Sequence, residues 1–134
     1  MQNIAIVCGS FHKKLVEEML EEAKQAAKER KLNIVSVTWV PGSMEKPLAL
    51  KRLLAKPEID GAIVLGIIER GETKHGLVMG QAVTKTIIEL QLEFMKPVGM
   101  GILGPEIEKH QIESRLKPYA RAAVNAVAEM LEQV

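Results

Sequence analysis

Along this chain, short β-branched apolar runs take turns with longer amphipathic ones, and no other property of the sequence narrows its fold so far. NIAIVC (Asn3 to Cys8), NIVSVTWV (Asn33 to Val40), GAIVLGII (Gly61 to Ile68) and PVGMGIL (Pro97 to Leu103) read as strands. Most are apolar nearly throughout, as strands covered on both faces are. Between them the spacing predicts helices. The first, about Lys13 to Lys31, places Leu15, Met19, Ala23 and Ala26 on one face and Glu17, Glu21, Lys24 and Lys28 elsewhere. A shorter helix follows Pro47, with Leu50, Leu53 and Leu54 as its apolar side, and a third runs from about His75 to Phe94. After Gly104-Pro105 come a short helix and a long one, about Pro118 to Glu132.

Strand, helix, strand, helix with short connections implies parallel strands joined by crossovers: an α/β fold, a three-layer αβα sandwich around a four-stranded parallel sheet, in a flavodoxin-like arrangement. At 134 residues, 47% of them hydrophobic, the chain is expected to form a single domain over residues 1–134. Its net charge of +1 is spread along the chain, and aromatic residues make up only 3%. Neither a general grip on nucleic acid nor a membrane surface fits that pattern, so any anion must be held locally. The N-terminal segment lacks a basic lead-in and reads as a first strand, not a signal peptide, and no run approaches a membrane span. A cytoplasmic protein is expected. The lone Cys8 cannot form an internal disulfide and, inside an apolar run, reads as a small buried thiol.

In such a fold ligands belong at the carboxyl ends of the strands. That rule selects GSFHK, VPGSMEKP, ERGETKH and GPEIEKHQIESR, which follow the four strands in order. In Gly71-Glu72-Thr73-Lys74-His75 a glycine turn enters a helix, and the free N–H groups there suit a phosphate. Equally, Thr73 can simply cap the helix with Glu72 exposed. His75 can give and take a proton near neutrality, or be an ordinary surface histidine. Glu45 can accept hydrogen bonds from a polyol, or serve as a first-turn carboxylate. Arg115 can hold a phosphate in bidentate fashion, or form an exposed ion pair. Phosphate-loop, dinucleotide-turn, paired-cysteine and HExxH patterns are absent from the sequence, so no metal or other cofactor is expected.

Taken together, VPGSMEKPLAL, GAIVLGIIERGETKH and KPVGMGIL followed by IESR resemble the lumazine synthase family, in order and over nearly the whole chain. The loop form and the Gly-Pro look most like archaeal members. The resemblance implies condensation of 5-amino-6-(D-ribitylamino)uracil with 3,4-dihydroxy-2-butanone 4-phosphate to 6,7-dimethyl-8-ribityllumazine, without metal or redox cofactor. By position, Phe11 matches the aromatic residue that stacks on the pyrimidine; Ser43, Met44 and Glu45 match the turn holding ring and ribityl chain. Ile67 and Ile68 match residues flanking the heterocycle, and Met100 stands where an aromatic often covers it. Glu72 and Thr73 match the loop beside the phosphate, His75 the proton-transfer histidine and Arg115 the phosphate-binding arginine.

His12 departs from a usual asparagine and Ala120 from a frequent lysine, for which the neighbouring Arg121 could substitute. The start of the third helix, HGLVMGQAV, lacks the acidic and aromatic residues that many members carry there. The family works as pentamers, sometimes packed into icosahedral shells, with active sites between subunits; Phe11 and His75 of different chains are then expected to share a pocket. Because Met1 nearly begins the first strand, an extra N-terminal strand lent to a neighbour is expected to be absent or very short. Two competing readings share the fold: an archaeal-type riboflavin synthase, against which the phosphate loop and Arg115 argue, and a non-catalytic flavin- or pterin-binding or shell-forming protein.

Overall fold

The computed structural model describes residues 1–133. Its four strands are β1 (Asn3–Gly9), β2 (Asn33–Val40), β3 (Gly61–Glu69) and β4 (Val98–Ile107). They form one all-parallel sheet in the order β2-β1-β3-β4. This places β1 and β3 in the middle, and both are almost wholly buried. The order reverses between them, because the chain moves outward from β1 to β2 and then crosses back to β3. Such a switch point opens a crevice at the carboxyl ends of the two central strands.

Alternate side chains of the sheet feed two separate cores. Ile4, Ile6, Ile63, Leu65 and Leu103 point to one face. There they meet α1 (Lys13–Glu29) and α5 (Leu116–Glu132). Ala5, Val7, Ala62, Val64 and Val98 point to the other face, covered by α2 (Lys46–Leu54) and α3 (His75–Phe94). A short helix, α4 (Lys109–Ile112), and a single 3-10 turn at Glu113–Arg115 lead from β4 into α5.

The period of α1 explains its seat on the sheet: Val16, Met19, Leu20, Ala23, Ala26 and Ala27 recur every three or four residues and are buried. It stops where Lys31 turns to φ 58°. The Leu32 amide then donates to the Ala27 carbonyl at 2.9 Å and the Lys31 amide to Lys28 at 3.1 Å, which satisfies the last carbonyls before β2 begins.

One element is longer than the sequence suggests. The fourth strand, expected to end at Leu103, continues through Gly104 and Pro105 to Ile107. Its ladder with β3 shifts register between Ile67 and Glu69, and the Arg70 amide donates to the Ile107 carbonyl at 2.7 Å. Arg70 also ion-pairs with Glu106 at 3.4 Å and Glu108 at 3.2 Å. These links carry the strand past a Gly-Pro pair that ordinarily marks a turn. Part of the segment expected to be a strand-end loop is therefore strand.

Among the described residues, no helix is long and apolar enough to cross a membrane.

Candidate functional site

The switch point between β1 and β3 holds a cavity of about 380 Å³. Its walls come from four consecutive features of the chain. Phe11 follows β1 and stands 57% exposed at the rim. Ser43, Met44 and Glu45, in the single 3-10 turn between β2 and α2, form a second wall. Ile67 and Ile68, the last apolar residues of β3, supply a buried floor. Thr73 and His75, at the start of α3, close the remaining side.

Phe11 and His75 of one chain line one crevice, whereas the resemblance led to the expectation that the two would come from different chains. The reason lies in the strand order. Because β1 and β3 are neighbours, the residues after each emerge side by side.

Glu72, Met100 and Arg115 lie outside this cavity's lining. Glu72 is exposed in the loop. Met100, half-buried on the edge strand β4, packs against the core beneath α2 and α3. Arg115 is half-buried before α5 and donates from Nη1 to the Gln111 carbonyl at 2.9 Å. No carboxylate lies within ion-pair distance of it among the described residues.

At the α3 N-terminus, the His75 amide donates to Thr73 Oγ1 at 3.3 Å. Thr73 therefore does satisfy a helix-start amide, as the capping alternative requires, while the rest of the exposed turn remains open to solvent. A helix of 20 residues begins here, and its dipole favours an anion beside this turn.

The departures at His12, Ala120 and Arg121 also find their places. His12 takes φ 58° ahead of α1, and its Nε2 lies 3.5 Å from Glu69 Oε1 at the end of β3. The imidazole thus stands beside the carboxylate between the two strand ends that frame the cavity, with its buried Nε2 making no hydrogen bond among the described residues. Ala120 is fully buried in α5. Arg121 is not free to take over a ligand-binding role, because it is tied to α1. Its Nε donates to Glu22 Oε2 at 2.8 Å and its terminal nitrogens to Glu29 at 3.2 and 2.9 Å. Arg121's hydrogen bonds hold the Glu29 carboxyl below the usual range. Cys8 is a buried free thiol whose pKa burial pushes up to about 12.

Sequence reasoning missed Lys46. Chain position and charge suggest a solvated first-turn lysine, yet it is 1% exposed and its Nζ donates to Ser43 Oγ at 3.2 Å. Burial pulls its pKa down to about 8. The available signal was a pair of glycines, Gly9 at the end of β1 and Gly66 in the carboxyl-terminal half of the adjacent β3.

A larger but more open hollow, about 720 Å³, runs along the outside of α3 past Gly80, Thr84, Ile88 and Pro105. It lacks the convergence of histidine, carboxylate, hydroxyl and aromatic ring found at the strand ends, so the smaller cavity is the stronger candidate.

Comparison with known proteins gives one consistent result. The sequence profile described as 6,7-dimethyl-8-ribityllumazine synthase matches residues 1–134. A protein of that name from Staphylothermus marinus is 36% identical over 133 residues, covering 99% of this chain and 89% of the relative. Its namesake from Methanococcus vannielii is 36% identical over 134 residues, covering 100% of this chain and 95% of the relative. That from Methanobrevibacter smithii is 37% identical over 132 residues, with 98% and 95% covered.

Proposed function

The chain belongs to the 6,7-dimethyl-8-ribityllumazine synthase family and is a transferase of riboflavin biosynthesis; from that premise we propose that the crevice between β1 and β3 is where its two substrates meet. The reaction joins 5-amino-6-(D-ribitylamino)uracil to 3,4-dihydroxy-2-butanone 4-phosphate, with loss of phosphate and water. The observation that carries this placement is the convergence of Phe11, Ser43, Glu45, Ile68 and His75 on one cavity from three separate strand ends.

The division of labour follows from side-chain chemistry. Phe11 supplies a ring face for the pyrimidine, and Ile67 and Ile68 exclude water beneath it. Glu45, with Met44 beside it, accepts hydrogen bonds from the ribityl hydroxyls. The turn from Glu72 to Thr73 offers backbone amides to the phosphate at the start of α3. His75 moves protons as the amine adds to the carbonyl and water departs. Most of the rate comes from holding amine and ketone together, because such positioning removes much of the entropic barrier.

The same reading assigns residues outside the cavity to a homo-oligomer with shared sites. The edge strand β4 leaves Met100 and Ile102 half-buried. Ile88, Leu92 and Met95 of the adjoining helix surface are exposed at 45%, 71% and 86%. A second copy covering this face would bury that apolar surface and bring Met100 and Arg115, which has no ion-pair partner among the described residues, to a neighbour's crevice. The chain acts as a single domain in the cytoplasm. The direct test is incubation with both substrates while the absorbance of the lumazine product is followed. Product that requires both compounds supports the reading; none from the folded protein refutes it.

A further inference from the structure

Lys46 is a buried cation with a single side-chain hydrogen-bond partner among the described residues. It is the first residue of α2, and its side chain runs across the carboxyl ends of β1 and β3, directly behind Ser43. A Cβ at Gly9 would stand 3.1 Å from its Cε and 3.3 Å from its Nζ. A Cβ at Gly66 would collide with Nζ outright. Both strands are therefore glycine where the lysine crosses them, and the residues after Gly66 are the crevice floor.

The ammonium has three donors, and its one side-chain partner among the described residues is Ser43 Oγ. No carboxylate forms an ion pair with it there. A buried charge with so little compensation opposes folding, and an apolar side chain of similar length would fill the channel without that penalty. Groups that burden a fold in this way cluster at functional sites.

We propose that Lys46 is a positioning residue of the pyrimidine pocket: by donating to Ser43 Oγ it fixes the serine as an outward donor, suited to a carbonyl oxygen of the substrate ring. The hydroxyl oxygen, engaged by the ammonium, leaves its own proton to be given to the ligand. This assignment rests on the reading of the crevice given above. It carries a pH consequence. Once Lys46 loses its proton, near pH 8, the neutral amine gains a lone pair and accepts a hydrogen bond donated by the Ser43 hydroxyl. Ser43 then presents lone pairs to the crevice, and these repel a carbonyl.

Other titratable groups surround this device. Cys8, the residue before Gly9 on β1, turns its thiol to the opposite, α1–α5 face of the sheet and remains neutral through this range. Glu45 on the turn, Glu69 on β3 and His75 on α3 line the crevice, and His12 borders it beside Glu69. All are retained when Lys46 alone is replaced, so the difference between wild type and variant isolates the lysine.

The experiment is a fluorescence titration of full-length protein with 6,7-dimethyl-8-ribityllumazine, which contains the same ring carbonyls, from about pH 6.5 to 9.5, on wild type, Lys46→Met and Ser43→Ala. Wild-type Kd is expected to rise about tenfold through pH 8. Lys46→Met should bind about tenfold more weakly at pH 7, show no step at pH 8, and melt at a higher temperature than wild type. Ser43→Ala should copy the weaker, pH-flat binding while retaining the lysine. Wild-type affinity and pH profile in both variants would overturn the role of Lys46 alone. A folded wild type that binds no lumazine at any pH would overturn the crevice reading itself. Lowered melting of Lys46→Met, with Ser43→Ala binding as wild type does, would make the lysine purely structural and also overturn the proposal.

Discussion

The two helical layers of this sandwich differ in how completely they are closed. On the α1–α5 side, the sheet meets small and branched apolar residues, and the helices are fastened at their outer edge by Arg121 between Glu22 and Glu29. On the α2–α3 side, a buried lysine interrupts the packing beneath the crevice, and apolar residues of α3 and β4 remain exposed or half-buried. The first layer is what folding alone would produce. Departures from good packing are concentrated in the second, where the crevice opens and where a second copy is proposed to dock.

Substitutions at matched positions test this difference. The largest effect is expected for Ile63→Ala in the closed layer, which should lower stability by about 2–5 kcal/mol in urea unfolding because a fully buried side chain is truncated. Leu92→Ala on the open layer should cost less than about 0.5 kcal/mol in the isolated chain while weakening self-association measured by light scattering. His75→Ala should slow turnover roughly a hundredfold without abolishing it, since positioning of the substrates survives; steady-state kinetics with both substrates checks this.

Lys46→Met should act in the opposite sense on stability. Burial lowers Lys46 from 10.5 to about 8, so between those values the folded chain binds fewer protons than the unfolded one. Wild-type stability therefore increases as pH rises from about 8 to 10.5. The methionine variant should be more stable by roughly 1–3 kcal/mol at pH 7, with the advantage shrinking above pH 8. Thermal melts across that range report it. The smallest effect is expected for Arg121→Ala, a half-buried clasp at the helix edge whose loss should lower the melting temperature only slightly.

Much of this contrast could be foreseen from sequence, because strands buried on both faces and helices with one apolar stripe carry strong local patterns. The crevice could be foreseen as far as its segments, since strand ends are visible without a structure. What was hidden depends on which elements become neighbours. Nothing local to Phe11 or His75 says that their strands are adjacent, and nothing local to Arg121 says that α1 lies beside α5. The extension of β4 was masked by Gly104-Pro105, whose turn signal is overridden by backbone pairing of Glu69 and Arg70 with Ile107. Lys46 was the deepest omission: lysines are rarely buried, and this one is accommodated by two glycines distant from it in the chain.

The placement of chemistry at the strand ends is tested most directly by a crystal structure of the protein with 6,7-dimethyl-8-ribityllumazine bound. The ring is expected against Phe11 and over Ile67 and Ile68, with a carbonyl oxygen within hydrogen-bond distance of the Ser43 turn. A ring bound instead in the open hollow between Gly80 and Pro105, with the strand-end crevice empty, would contradict it.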